Sequence, residues 1–278
     1  MPEGPEIRRI ADALAEQVAG RVIDRIEFGV DSLKHWQRQL TGAKIEKIET
    51  YGKALVTHLS TVDDRQLCIY SHNQLYGRWF SCDTGNYPDS KRQLRIAIDC
   101  QGKSALLYSA SDIAVLRKDE LKQHSFIKKL GPDVLKRSTT AQQIVERLHS
   151  TRFKNRQLGS ILTDQSFVAG LGNYLRCEIL FYAGLHPKVR GNELNKKDLR
   201  LLANVMLKLA RQSYQSGGIT NDMRQAKKLL KQGASFEDAR FYVFRRQGLP
   251  CYRCATRIEK NAMAGQACFY CPQCQQRE

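Results

Sequence analysis

Near one end of the chain, Cys251-x2-Cys254 and Cys271-x2-Cys274 stand sixteen residues apart. Two such pairs make two tight knuckles that bring four soft thiolates into one tetrahedron, so the spacing predicts a β-ribbon folded around a single structural Zn2+. Four thiolates close the coordination shell and leave no position for water or substrate. Cys268 could form a knuckle with Cys271 instead, but only 13 residues would then separate the pairs, fewer than such ribbons use. Cys68, Cys82, Cys100 and Cys177 are scattered and read as ordinary small buried residues. No apolar run suits a signal peptide or a membrane span, so reduced thiols in the cytoplasm are expected.

The formal charge is +17, from 45 Lys and Arg against 28 Asp and Glu. A surplus of this size makes a polyanion the expected partner. It is uneven: between His186 and Arg246 there are 14 basic and 5 acidic residues, scattered at helical spacing rather than gathered in a tail. A folded basic face for nucleic acid is expected there.

Hydrophobic periodicity divides the chain. Ile7, Ile10, Ala11, Leu14, Ala15 and Val18 recur at three- and four-residue spacing between Pro5 and Gly20, which predicts one amphipathic helix. Short segments then alternate or run apolar between turn residues up to about residue 110: RVIDRIEF, AKIEKIETY, KALVTHLS, RQLCIYSH and QLRIAID. These predict an antiparallel β-sandwich led by the first helix. After the Gly131-Pro132 turn the period becomes helical in AQQIVERL, around LTDQSFVAG, and in NYLRCEILFYAG and DLRLLANVMLKLARQSY; Gly217-Gly218 opens a less regular stretch. The expected fold is α+β: a sandwich domain over 1–130, a helical domain over 131–240 and the zinc ribbon over 241–278.

Two places carry candidate chemistry. In QSFVAGLGNYLRCEIL, the turn Gly170-Leu171-Gly172-Asn173 lets the backbone approach a ligand, and the first amides of the next helix form a ready phosphate site; a plain helical hairpin would have the same pattern. At the other end, removal of Met1 before the small Pro2 would expose a secondary amine. That amine titrates lower than a lysine and can attack an aldehydic carbon to give an iminium. Glu3 stands beside it as an acid–base group, and Glu6 lies one helical turn on.

Taken together, MPEGPE, GKAL at 52–55, SHNQLYG at 71–77, GPDVL at 131–135, GLGNYL at 170–175 and VF-x3-G-x-PC before the ribbon resemble the formamidopyrimidine-DNA glycosylase/endonuclease VIII family of base-excision repair enzymes. The resemblance runs from Met1 to the last cysteine pair, and SHNQLYG is most similar to the endonuclease VIII branch. It implies a bifunctional glycosylase and abasic-site lyase that removes oxidised pyrimidines, with a helix-two-turn-helix in the second domain and damaged double-stranded DNA in the cleft between domains. Pro2 would be the nucleophile, Glu3 the proton donor that opens the sugar, and Lys53 a second catalytic proton donor. Gln74, Leu75 and Tyr76 would fill the gap left by a flipped nucleotide. Asn173 would bind phosphate, and Lys129 would touch DNA where relatives carry an arginine. A monomer of bacterial type, associated with the nucleoid, is implied.

A second departure, besides Lys129, matters more. The family usually carries an arginine five residues before the third ribbon cysteine, implicated in the second (δ) elimination, whereas Gln266 stands here. Base removal and β-elimination are therefore expected with weakened δ-elimination. Two other readings fit part of the pattern: an oxidised-purine glycosylase of the same mechanism, and an inert zinc-ribbon DNA-binding protein.

Overall fold

The computed structural model describes residues 2–277, and the chain divides into two compact units, Met1–Lys129 and Leu130–Glu278. In the first, helix α1 (Gly4–Val18) is followed by β1 (Arg25–Phe28), a short α2 (Gln37–Leu40), β2 (Lys44–Tyr51), β3 (Ala54–Ser60), β4 (Gln66–His72), β5 (Arg78–Asp83), β6 (Leu94–Cys100), β7 (Lys103–Tyr108), β8 (Asp112–Arg117) and a one-turn α3 (Lys118–Leu121). The strands form two four-stranded antiparallel sheets, ordered β1-β6-β7-β5 and β2-β3-β4-β8.

Alternation along each strand decides which face is inward. On β4, Leu67 and Ile69 join a core with Ile26, Phe28, Ile96 and Ile98 of the other sheet, while Cys68 and Tyr70 turn to a smaller cluster with Leu121. Helix α1 closes that main core with Ile7, Ala11, Leu14 and Val18, the residues whose spacing marked it as amphipathic. The α+β expectation, with its sandwich and leading helix, holds.

The second unit contains α4 (Ala141–His149), α5 (Leu158–Ile161), α6 (Asn173–Ala183), α7 (Lys196–Ser216), α8 (Met223–Lys231) and α9 (Phe236–Arg240), then the hairpin β9 (Glu259–Met263) and β10 (Gln266–Tyr270). Its helical core gathers Ile144, Phe153, Phe167, Leu171, Leu175, Leu202 and Met206, and the ribbon packs on the same unit through Cys177, Phe181, Val243, Ile258 and Phe269. Among the described residues, no helix is long and apolar enough to cross a membrane.

Two stretches differ from expectation. LTDQSFVAG is a run of turns rather than a helix, since α5 ends at Ile161. Asp164 captures the amide and hydroxyl of Ser166 at 2.9 and 2.6 Å, and Arg147 and Arg152 hold Ser166 from the other side. Such local side-chain bonds compete with the helical ladder. Conversely, the stretch after Gly218 is only partly irregular: it holds α8 and α9, and Asp222 caps α8 by accepting from the amides of Arg224 and Gln225.

Both tryptophans, Trp36 and Trp79, belong to the first unit, so their fluorescence reports on it alone. Phe167 is fully buried against Phe153 at 5.1 Å. Phe167→Ala should cost the second unit about 3–5 kcal/mol. In urea titrations, the helical circular-dichroism transition should move to lower denaturant while the tryptophan transition stays in place.

Candidate active site and nucleic-acid interface

In the first unit, the start of α1 and a β-hairpin come together. Glu3 caps α1, is 2% exposed, and donates its own amide to the Glu6 carboxylate at 3.0 Å. Pro5 suits the first helical turn, where its missing N–H costs nothing. Pro2 lies just ahead and is half-buried, whereas Met1 is outside the described residues.

Lys53 comes from the β2–β3 hairpin, whose two loop residues are Gly52 and Lys53, flanked by the pair Tyr51 and Ala54. Gly52 has φ +59°, as the first loop position of a type II′ hairpin requires. This turn directs Lys53 inward, leaving it 6% exposed. Burial lowers its pKa, against which the Glu3 and Glu6 carboxylates pull it back up. A buried lysine thus lies within the electrostatic reach of two acids at a helix N-terminus.

His72 faces the same place. It pairs in register with Ala54, its pKa is lowered by burial with Asp112 opposing, and Lys53 lowers it further. Its Nδ1 accepts from the amide of Gln74 at 3.1 Å, which fixes the imidazole at the base of the next turn. That turn, Asn73 to Gly77, is tight: the Gly77 amide donates to Asn73 O at 2.7 Å, and a Cβ on Gly77 would lie 2.6 Å from the same oxygen. Gln74 takes a left-handed φ of +47° and accepts from the Ser111 hydroxyl, while Arg92 donates to Tyr76 O. The tip is clamped from both sides, yet Leu75 and Tyr76 are 65% and 69% exposed. Large apolar side chains held out on a rigid turn are a surface built for contact. Lys129, at the end of this unit, is exposed.

In the second unit, Asn173 begins α6 and its Oδ1 accepts from Arg176. Arg176 is fully buried, and the sequence reading did not single it out. It also donates to Gly159 O at 2.9 Å and to the ribbon carbonyls of Met263 and Ala267, both at 3.1 Å. Two residues on, buried Glu178 accepts from the amides of Tyr242, Val243 and Phe244 at 2.8–2.9 Å and from the Thr220 hydroxyl. An arginine and a glutamate inside the apolar run of α6 were the available signal for both.

The four ribbon cysteines gather, their sulfurs all within 4.8 Å of one another. Cys251 and Cys274 are 3.9 Å apart, Cys254 and Cys271 3.4 Å, and Cys254 and Cys274 3.5 Å. Thiolates about 2.3 Å from one metal ion lie roughly 3.8 Å apart at tetrahedral angles, so the donor set fits a metal. Cys268 stays outside it, 4.0 Å from Cys177. Gln266 begins β10 beyond the loop Ala264-Gly265, both at positive φ, and its Oε1 is buried without a hydrogen-bond partner.

The formamidopyrimidine-DNA glycosylase N-terminal domain model matches residues 1–111, and the model of that enzyme's H2TH domain matches residues 130–225. Endonuclease 8 of Pectobacterium atrosepticum is 45% identical over 275 residues, covering 99% of this chain and 100% of that protein. Endonuclease 8 of Escherichia coli K12 is 44% identical over the same lengths. The chain belongs to the formamidopyrimidine-DNA glycosylase/endonuclease VIII family. A solved Lactococcus lactis Fpg in complex with DNA containing N7-benzyl-Fapy-dG has the same fold, with TM-score 0.82 and 22% identity over 99% of this chain and 100% of that one.

For this glycosylase-family chain, two outcomes follow from the geometry. One metal ion per chain is expected by elemental mass spectrometry, and Cys254→Ser should lose most of it. Lys53→Met removes a buried ammonium whose folded pKa lies below its unfolded 10.5. Between those two values the unfolded wild type binds more protons, so wild-type stability relative to Lys53→Met should rise with pH through that alkaline window. Paired denaturant titrations at several pH values measure this; a pH-independent difference would count against it.

Proposed function

We propose that this chain is a bifunctional DNA glycosylase and abasic-site lyase acting on oxidised pyrimidines in duplex DNA, with Zn2+ as the ion held by Cys251, Cys254, Cys271 and Cys274. The observation that carries this reading is that Glu3, next in sequence to Pro2, and Lys53 are both buried, with the Glu3 charge acting on the Lys53 amine. Deep burial of an acid and a lysine is costly and makes sense where proton transfer needs them.

In this scheme the Pro2 nitrogen, freed by loss of Met1, attacks C1′ and the C1′–base bond breaks, the base leaving with the electron pair and taking up a proton. Glu3 gives a proton to O4′ as the ring opens, leaving an iminium between Pro2 and C1′. The iminium acidifies C2′; loss of that proton forms the C2′–C3′ double bond and expels the 3′ phosphate. Lys53, its pKa lowered by burial, can hold or return a proton beside the sugar and the phosphate. Water then releases Pro2.

Gln74, Leu75 and Tyr76 would enter the stack as the nucleotide leaves. Stacking by the exposed Leu75 and Tyr76 offsets part of the few kcal/mol that unstacking costs, and Gln74 can pair with the orphaned base. Asn173, with the first amides of α6, and Lys129 would hold phosphates. The pyrimidine preference rests on the resemblance of SHNQLYG to the endonuclease VIII branch, beside the full-length likeness to the endonuclease 8 relatives. Zn2+, when bound, supplies structure to the ribbon and no chemistry at the sugar. Gln266 is neutral with its side-chain oxygen buried, which supports a weak δ-elimination.

Borohydride reduction tests the scheme. Wild type should trap covalently on a thymine-glycol duplex, with Pro2→Gly and Glu3→Gln giving no adduct; absence of a wild-type adduct on every damaged duplex would leave only DNA binding. Faster release of 8-oxoguanine than of thymine glycol would reassign the substrate to purines. On an abasic duplex, β-products should dominate, and Gln266→Arg should raise the δ-product share; nearly complete δ-cleavage by wild type would overturn this part.

A further inference from the structure

Helix α8 carries Arg224, Lys227, Lys228 and Lys231, the i, i+3, i+4, i+7 set that lies on one face of a helix. No acidic residue interrupts Met223–Lys231, and all four basic residues are exposed. Among the described residues, none of the four is in an ion pair, although acids lie close in sequence. Asp222 is used as the α8 cap, Glu237 pairs with Arg240 at 3.0 Å, and Asp238 accepts from Ser235. The stripe is therefore a concentrated and uncompensated positive charge.

Its position is fixed from below. Thr220 and Asn221, ahead of α8, both donate their amides to Arg240 O at 2.9 Å, and Asn221 Nδ2 donates to Ala239 O, so the α8–α9 hairpin is closed at its stem. The stem is tied to α6: the Thr220 hydroxyl donates to Glu178 at 2.9 Å, and the Arg240 guanidinium lies 5.6 Å from the Tyr174 ring centroid. Tyr174 is the neighbour of Asn173. Ala226, on the opposite face from the stripe, is fully buried, so α8 is turned with its basic face outward.

We propose that the α8 stripe is a second phosphate-binding element, gripping one strand of the duplex that Asn173 engages; this rests on the function proposed above. From Arg224 to Lys231 the helix rises about 10 Å. One strand of a duplex carries a phosphate roughly every 3.4 Å of axis, so the stripe matches about three consecutive phosphates. An anionic membrane is the other polyanion that basic helices meet. Away from the stripe Ala226 is fully buried, and Met223 and Leu230, at 37% and 40% exposed, offer only a small apolar surface for insertion, which favours DNA.

The test compares wild type with the triple variant Lys227→Gln/Lys228→Gln/Lys231→Gln and with the triple Lys→Arg variant. Fluorescence anisotropy on a duplex with an abasic analogue is read from 50 to 200 mM salt. The Gln variant should lose about 2–3 units of log–log salt slope and bind roughly 10- to 100-fold more weakly near 150 mM salt. The Arg variant should keep the wild-type slope. Single-turnover cleavage at saturating DNA should be unchanged, so the loss appears in KM and not in kcat. An unchanged slope in a Gln variant of unchanged helical circular dichroism overturns the proposal, as does binding of the wild type to anionic vesicles that the Gln variant loses while its DNA slope is kept. Wild-type borohydride trapping is scored separately: an adduct with an unchanged slope sinks the stripe alone, and no adduct sinks the function beneath it.

Discussion

Two opposite charges, two residues apart on α6, hold the second unit together. Arg176 and Glu178 are both fully buried, and a charge so placed is tolerable only when most of its hydrogen-bonding capacity is met. Glu178 is met by four donors, three of them consecutive backbone amides from the segment that leads into the ribbon. Arg176 directs both of its terminal nitrogens to carbonyls of the ribbon hairpin and of Gly159 and to the Asn173 side chain, while its buried Nε is left without a partner. The ribbon, its approach segment and the Asn173 turn are thus three clients of one helix. Removing either charge alone would strand polar groups in a dry interior, at several times the cost of an exposed ion pair.

Much of this architecture was legible because it obeys local periodic rules. The amphipathic spacing of α1, the alternation of the strands and the cysteine knuckles each depend on a few residues close in sequence. Illegible features were those decided by partners far away in the chain. Arg176 meets its ribbon acceptors across about ninety residues of sequence, and the helical periodicity of LTDQSFVAG lost to Asp164, Arg147 and Arg152. Helix α8 lies in the stretch read as less regular after Gly217-Gly218; the cap at Asp222 and the burial of Ala226 make it a helix. At the candidate catalytic centre, residue types could be named from motifs, but the burial of Lys53 could not, since it follows from how α1 meets the β2–β3 turn.

The two charges also decide what the ribbon metal can do at a distance. A metal in the four-cysteine site has a closed shell, so any influence it has must pass through the backbone it holds. The hairpin connecting Cys254 to Cys271 contains Met263 and Ala267, whose carbonyls receive two of the Arg176 hydrogen bonds. If the hairpin loosens, Arg176 loses those acceptors while Gly159 and Asn173 remain. A buried guanidinium short of acceptors draws more strongly on those left, and Asn173 is the one that can move, because it is a side chain at the first position of a helix. The Asn173 amide group and the first amides of α6 are the proposed phosphate donors, so the orientation of that site is set by an arginine whose own position depends on the ribbon. On the proposed reading, the sulfur cluster would thereby act on the Asn173 phosphate site through the backbone it holds.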